Sequence, residues 1–267
     1  GALAPIRELA MKRLLLVAAL SAATLPGCQQ NPVSGRTQFV LVSEEQAQAS
    51  SAQAYTQTLA DAQKQGKLST NAALNARVKR ITDRLIAQAT VMYPPSKDWK
   101  WSVAVIEEPE LNAWCMPGGK MAIYTGIIDK LSLSDDEIAQ IMGHEISHAL
   151  LGHGRERMSR ALATQAGLQL GSIAAGADLT GLAPVADIAL NLPNSRAGES
   201  EADRYGLELA ARAGYDPRAA VTLWQKMSAA STGQPPKFLS THPSPTDRIQ
   251  ALTALVPKMQ PLYEKAR

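Results

Sequence analysis

The chain has 267 residues, 45 % of them hydrophobic, a composition compatible with one sizeable core. Its 27 basic and 24 acidic residues leave a net charge of +3 with no Lys/Arg cluster, so nucleic acid is excluded as a partner class. Only two cysteines occur, Cys28 and Cys115, too few for a disulfide framework.

The first legible segment starts at Met11, with Lys12-Arg13, an apolar run from Leu14 to Leu20, small residues, and then Leu25-Pro26-Gly27-Cys28. This is the layout of a secretory signal, too short to remain as a spanning helix. Its Leu-x-Gly-Cys ending resembles the lipobox of bacterial lipoproteins, which implies lipidation at Cys28 and removal of residues 1–27. Cys115 then lacks an intramolecular partner and is expected to be buried. Residues 28–42 read as a tether with a short extended piece, and residues 43–267 as one domain. Ser43 opens a polar, Ala/Gln-rich stretch to about Lys64, helical by propensity. From Asn71 to about Met92, Leu74, Val78, Ile81, Leu85 and Ile86 recur at helical spacing until Pro94-Pro95 stops them. Trp101–Ile106 and Lys120–Thr125 read as strands, separated by a loop that carries Asn112 and the Pro117-Gly118-Gly119 turn. Residues 161–193, rich in Ala, Gly and Leu, read as a buried or lid-like connection.

The sharpest signal is Gly143-His144-Glu145-Ile146-Ser147-His148. Ser134 and Glu137 have capping-box spacing, so a helix is predicted from about Asp135 to Gly152 or Gly154. On it His144 and His148 lie one turn apart on one face, where two imidazoles reach a single tetrahedral ion. Glu145 is placed beside the first ligand to accept a water proton rather than to bind metal. The apolar flanks Ile138, Ile141, Met142, Ile146, Leu150 and Leu151 predict a buried helix, in which two His and a Glu are costly without an ion. One Zn2+ per chain is therefore expected. Two His leave the shell short of a ligand. His153, five residues after His148, points away from that face and reads as a helix C-terminal residue. Glu199, in a helix capped by Asn194 or Ser195 and running to Gly214, is the better candidate. Asp203 shares its face and could accept a hydrogen bond from a ligand imidazole. Glu201 lies off that face and is expected in solvent. A surface charge run is the competing reading of this segment.

His144-Glu-Ile-Ser-His148 followed by Glu199-Ser-Glu-Ala-Asp203 resembles the gluzincin pattern HExxH…ExxAD. With Asn112-Ala-Trp…Pro117-Gly-Gly upstream and Thr241-His-Pro-Ser-Pro-Thr-Asp-Arg248 downstream, it resembles the family uniting CAAX prenyl proteases, Oma-type mitochondrial proteases and bacterial HtpX. The lipobox points to its periplasmic lipoprotein branch, the LoiP-like peptidases. The resemblance implies His144, His148 and Glu199 as zinc ligands and Glu145 as base. It assigns catalytic roles to Asn112 and to His242, the latter as a transition-state stabiliser or as a fourth ligand that latches the site. Cys115 departs from the pattern, which more usually has an apolar residue there.

The implied fold is α+β, mainly α, a zincin-like metallopeptidase domain with its active-site helix packed on a small antiparallel sheet. The implied activity is zinc-dependent hydrolysis of peptide bonds in misfolded or unassembled envelope proteins. Asn112 or His242, with Arg248, would steady the oxyanion, and Arg248 stands with Asp203 around the ligands. Leu111–Met121 is the edge on which an extended substrate would add as a strand. The expected location is the periplasmic face of the bacterial envelope, on the outer membrane through the lipid at Cys28. The alternative is an envelope chaperone or assembly factor whose protease site is latched and only conditionally active.

Overall fold

Ser43 and Asn71 open the first two long helices, each with a side-chain oxygen accepting an amide hydrogen of the first turn. The computed structural model describes residues 27–168, 183–231, 236–243 and 247–267. A short antiparallel hairpin, β1 (Cys28–Gln30) with β2 (Thr37–Phe39), precedes α1 (Glu44–Lys64) and α2 (Ala72–Met92). A three-stranded sheet follows, from β3 (Ser102–Ile106), β4 (Ala113–Met116) and β5 (Lys120–Tyr124), then α3 (Thr125–Lys130) and α4 (Asp135–Leu150). The remaining elements are α5 (His153–Leu168), α6 (Ala183–Asn191), α7 (Arg196–Arg212), α8 (Arg218–Ala229), α9 (Lys237–Thr241) and α10 (Arg248–Ala266).

The domain is α+β and mainly helical, as expected, but its sheet is mixed rather than purely antiparallel. Its order is β3-β5-β4: β4 and β5 pair antiparallel, while β3 runs parallel to β5 with Ser102 opposite Lys120. The β4–β5 hairpin turns at Gly118 and Gly119, whose φ values of 79° and 76° suit glycine. The loop expected to carry Asn112 therefore contains a third strand, β4, which is the outer strand on its side.

Every residue of α4 from Glu137 onward is buried. Its Ile138, Ile141, Met142 and Ile146 pack into a core with Val78, Ile81 and Leu85 of α2, Met121 and Ile123 of β5, and Leu207 of α7. A helix buried on all faces matches the apolar flanks of its motif. Gly206 sets how closely α7 approaches it: a Cβ there would lie 2.8 Å from the backbone N and Cα of His144.

Residues 28–42 are not a free tether. Asn31 Nδ2 and Gln38 Nε2 both donate to Leu151 O, at 2.6 and 2.8 Å, and so satisfy a carbonyl that the end of α4 leaves without a helical partner. Tyr205 of α7 donates to Val33 O. The polar composition that suggested a solvated linker is what satisfies these backbone groups. Within 161–193, α6 buries Val185, Ala186 and Ala189 in the second core cluster, while 169–182 lie outside the described residues. Among the described residues no helix is long and apolar enough to cross a membrane.

Candidate metal centre

All four histidines of the chain converge on one place. The capping box forms as predicted: Ser134 Oγ accepts from Glu137 N and Glu137 Oε2 accepts from Ser134 N, starting α4 at Asp135. Two turns on, His144 Nε2 and His148 Nε2 stand 3.0 Å apart. Ser195 caps α7 by accepting from Gly198 N, which brings Glu199 in at the first turn. Glu199 Oε2 is 3.5 Å from His144 Nε2, and its Oε1 is 3.3 Å from His148 Nε2.

Ligands at about 2.0–2.1 Å from a tetrahedral zinc ion would be separated by about 3.3 Å. The three observed separations bracket that value. Glu199 is fully buried and its Oε1 has no hydrogen-bond donor among the described residues. His242 brings a fourth donor atom, all four lying within 4.8 Å of one another. The residues fit the ion that the motif implies.

The electrostatics agree. Burial opposes charge on His144, but hydrogen bonds to Asp203 and Glu199 overcome it and push its pKa up to about 9. A field that holds a proton there would equally hold a cation. Burial would raise Glu199, yet the histidines around it take its pKa well below the usual carboxylate range. Burial, with the charge of His144, drives His148 down. Glu145 goes the other way, up to about 8, because burial penalises its charge and Glu199 repels it. His242 is driven down to about 3 by burial and is neutral.

Each ligand ring is held from behind. His144 Nδ1 lies 3.1 Å from Asp203 Oδ1, so its Nδ1–H donates and its Nε2 lone pair faces Glu199. Arg248 donates to Glu199 Oε2 at 3.1 Å and to Asp203, and stacks 3.4 Å from the centre of the Trp224 ring. It is thus committed behind His144, on Glu199 and Asp203.

His153 and Glu201 depart furthest from expectation. His153 is not the end of α4. The chain breaks at Gly152 (φ 67°), and His153 starts α5 with its ring turned back on His148, the two Nδ1 atoms 2.7 Å apart. Glu201, expected in solvent, is half-buried and lies 2.9 Å from His153 Nε2, with Arg36 Nε donating to the same oxygen. Burial would raise Glu201, but hydrogen bonds from His153 and Arg36 outweigh it and bring the pKa down to about 2. The only sequence signal for this chain of contacts was the presence of a third His close to the motif.

Beside Glu145 opens a cavity of about 290 Å³ lined by Asn112, Trp114, Cys115, Arg157 and His242 among others. His242 Nε2 lies 3.2 Å from Glu145 Oε1. Its Nδ1 is 3.0 Å from Phe238 O, a pure acceptor, so Nδ1 carries the proton and Nε2 presents a lone pair. Cys115 is buried in β4, its thiol pushed well up by burial, and lies outside the four-residue donor cluster.

Two helices crossing at a buried His-His-Glu set, with a second carboxylate beside the first His, define a zincin-like metal centre. Residues 72–256 match Peptidase family M48, and the chain belongs to that family. It is 36 % identical over 187 residues to mitochondrial metalloendopeptidase OMA1 of Schizosaccharomyces pombe, covering 68 % of this chain and 53 % of that protein. The human metalloendopeptidase OMA1 is 32 % identical over 249 residues, 88 % of this chain and 47 % of its own length. The metalloprotease LoiP of Escherichia coli is 27 % identical over 243 residues, 89 % of this chain and 94 % of its own length. The chain thus spans about half the length of the OMA1 relatives and nearly all of LoiP.

Proposed function

We propose that the protein is a zinc-dependent endopeptidase in which His144, His148 and Glu199 hold the metal and Glu145 is the general base. The observation that carries this reading is the near-tetrahedral spacing of the three donors beside a carboxylate raised to about 8. Zinc bound there would supply Lewis acidity, lowering the pKa of water and polarising the scissile carbonyl.

The chain's own residues supply the rest. Asp203 and Arg248 orient His144 and Glu199. Glu145, its pKa raised by burial, takes the water proton and returns it to the leaving nitrogen. The outer strand β4 runs along the cavity, so an extended peptide can add to its outer edge and bring successive carbonyls past Glu145. Edge addition requires extended chain, which favours unfolded or unassembled proteins as substrates. Asn112, at the start of β4, is positioned to contact that peptide.

The exposed Cys28 at the head of β1 and the signal-like segment before it support lipid attachment and a place at the bacterial envelope, on the outer membrane. One observation favours the second reading, a chaperone or assembly factor with a latched site. The Nε2 lone pair of His242 faces the donor cluster and Glu145, while Phe238 stacks on its ring at 4.1 Å, so the His242 side chain covers the base from the cavity side.

Zinc content and casein cleavage of protein lacking Cys28, measured beside Glu145→Gln and His242→Ala, test both. One zinc per chain with cleavage lost in Glu145→Gln supports the peptidase. A rise in His242→Ala adds the latch, and zinc without cleavage in any variant moves the assignment to the assembly factor. Absence of bound zinc sinks both.

A further inference from the structure

Arg157 is buried at the centre and takes no part in the roles above. It sits on α5, 7 % exposed, and lines the same cavity as Glu145, His242 and the β4 edge. Its Nη1 donates to Asn194 Oδ1; its Nε is sealed from solvent with no acceptor among the described residues. Among the described residues no carboxylate oxygen lies within 4.0 Å of its guanidinium. The other buried guanidinium at the site, Arg248, has Glu199, Asp203 and Trp224. A buried cation without an ion pair is costly, and the cost is tolerated where a negative charge arrives during function.

Two of the donors expected for such a charge, His242 and Arg248, are committed elsewhere, and Asn112 at the cavity wall is a neutral donor. The Nδ1–H of His242 goes to Phe238 O, which leaves its Nε2 with no proton to give. Arg248 is held behind His144. Asn194 connects Arg157 to the metal centre, since its Oδ1 accepts from Arg157 and its Nδ2 lies 3.4 Å from His148 Nε2.

We infer that Arg157 is an oxyanion-binding residue, donating to the scissile carbonyl oxygen as negative charge develops on it. The inference rests on the peptidase reading. As the water oxygen bonds to the carbonyl carbon, the C=O π pair moves onto the carbonyl oxygen and the water proton passes to Glu145. On collapse that pair re-forms C=O, the C–N bond breaks, and the Glu145 proton goes to the leaving nitrogen. Arg157 exchanges no proton; its charge balances the oxyanion while it exists.

The test compares wild type, Arg157→Lys, Arg157→Gln and Arg157→Ala for zinc content, thermal melting, kcat and KM on an internally quenched peptide. It adds the inhibition constant of a phosphinic peptide, whose tetrahedral anion mimics the oxyanion. Loss of one oxyanion donor typically costs about 10²- to 10³-fold in kcat. That loss is expected in Arg157→Gln with KM nearly unchanged and zinc retained, together with a parallel loss of phosphinic-peptide affinity. Arg157→Lys should recover part of it, and added guanidinium should rescue Arg157→Ala, which a merely structural defect would not allow. Unchanged kcat in Arg157→Gln overturns the inference. So does loss of zinc or folding in all three variants, and so does an effect confined to KM for peptides with acidic side chains, which would make Arg157 a specificity group. Zinc-loaded protein that cleaves nothing, as wild type and as His242→Ala alike, instead overturns the peptidase reading, whatever Arg157 does.

Discussion

Glu201 controls which nitrogen of His148 is free to bind metal, although it lies two hydrogen bonds away. Its carboxylate, ionised at neutral pH, accepts from His153 Nε2, which fixes the His153 proton on that nitrogen. His153 Nδ1 is then an acceptor, and at 2.7 Å it takes the Nδ1–H of His148. The lone pair of His148 is thereby left on Nε2, 3.3 Å from Glu199 Oε1 and facing His144. Glu201→Ala removes the acceptor that fixes this order, and His153→Leu leaves the buried Nδ1–H of His148 without a partner. Outer hydrogen-bond partners of metal-ligating His are typically worth 10- to 100-fold in metal affinity, about 1.4–2.7 kcal/mol. Glu201 is partly exposed and Arg36 keeps Glu156, so Glu201→Ala should fall near the lower end and His153→Leu near the upper. Zinc dissociation constants from chelator competition at pH 7 measure this directly, with circular dichroism confirming the fold. Affinities within twofold of wild type for both variants would refute the chain of tautomers.

Two further outcomes follow from the same packing. Gly206→Ala places a methyl group against the His144 backbone, where neither helix can yield without moving a ligand. It should cost about 1–3 kcal/mol in urea denaturation and weaken zinc binding as well; an unchanged midpoint would mean that α7 can shift freely. Glu137 concerns acid stability. Burial would raise its pKa, but Lys226 at 2.7 Å, the Ser134 amide and Thr222 outweigh burial and lower it. A carboxylate depressed in the folded state stabilises above its unfolded pKa of about 4.3 and loses that contribution as pH falls through the folded value. Wild type should therefore exceed Glu137→Gln in stability at pH 6–7, with the gap narrowing below about pH 4.3; a gap constant from pH 7 to pH 3 would contradict the ion-pair account.

Ligand positions were legible wherever the information was local. Helical spacing places His144 and His148 on one face whatever surrounds them, and Ser134 with Glu137 marks the start of that helix. Glu199 and Asp203 followed by the same one-turn rule. His153 was misplaced because the rule was carried past Gly152, where positive φ ends the helix and redirects the chain. The two strands at 102–106 and 120–124 could be read from their β-like residues, but their parallel pairing could not, since strand direction is set by where the chain returns. The outer strand β4 was hidden in an expected loop because its four residues are all buried and show no alternation.

The sequence alone therefore determined the helix that carries His144, Glu145 and His148, the second helix that brings in Glu199, and the family to which the chain belongs. The helices rest on residues within a turn or two of one another, and the family on four such local motifs between Asn112 and Arg248. Tertiary structure decided what surrounds them: Arg248 behind His144, Arg36 and Glu201 behind His153, and Arg157 in the cavity beside Asn194. These contacts join residues 36 and 201, or 144 and 248. No periodicity links positions so far apart, because their meeting depends on how the helices cross, and that crossing is set by packing at sites such as Gly206.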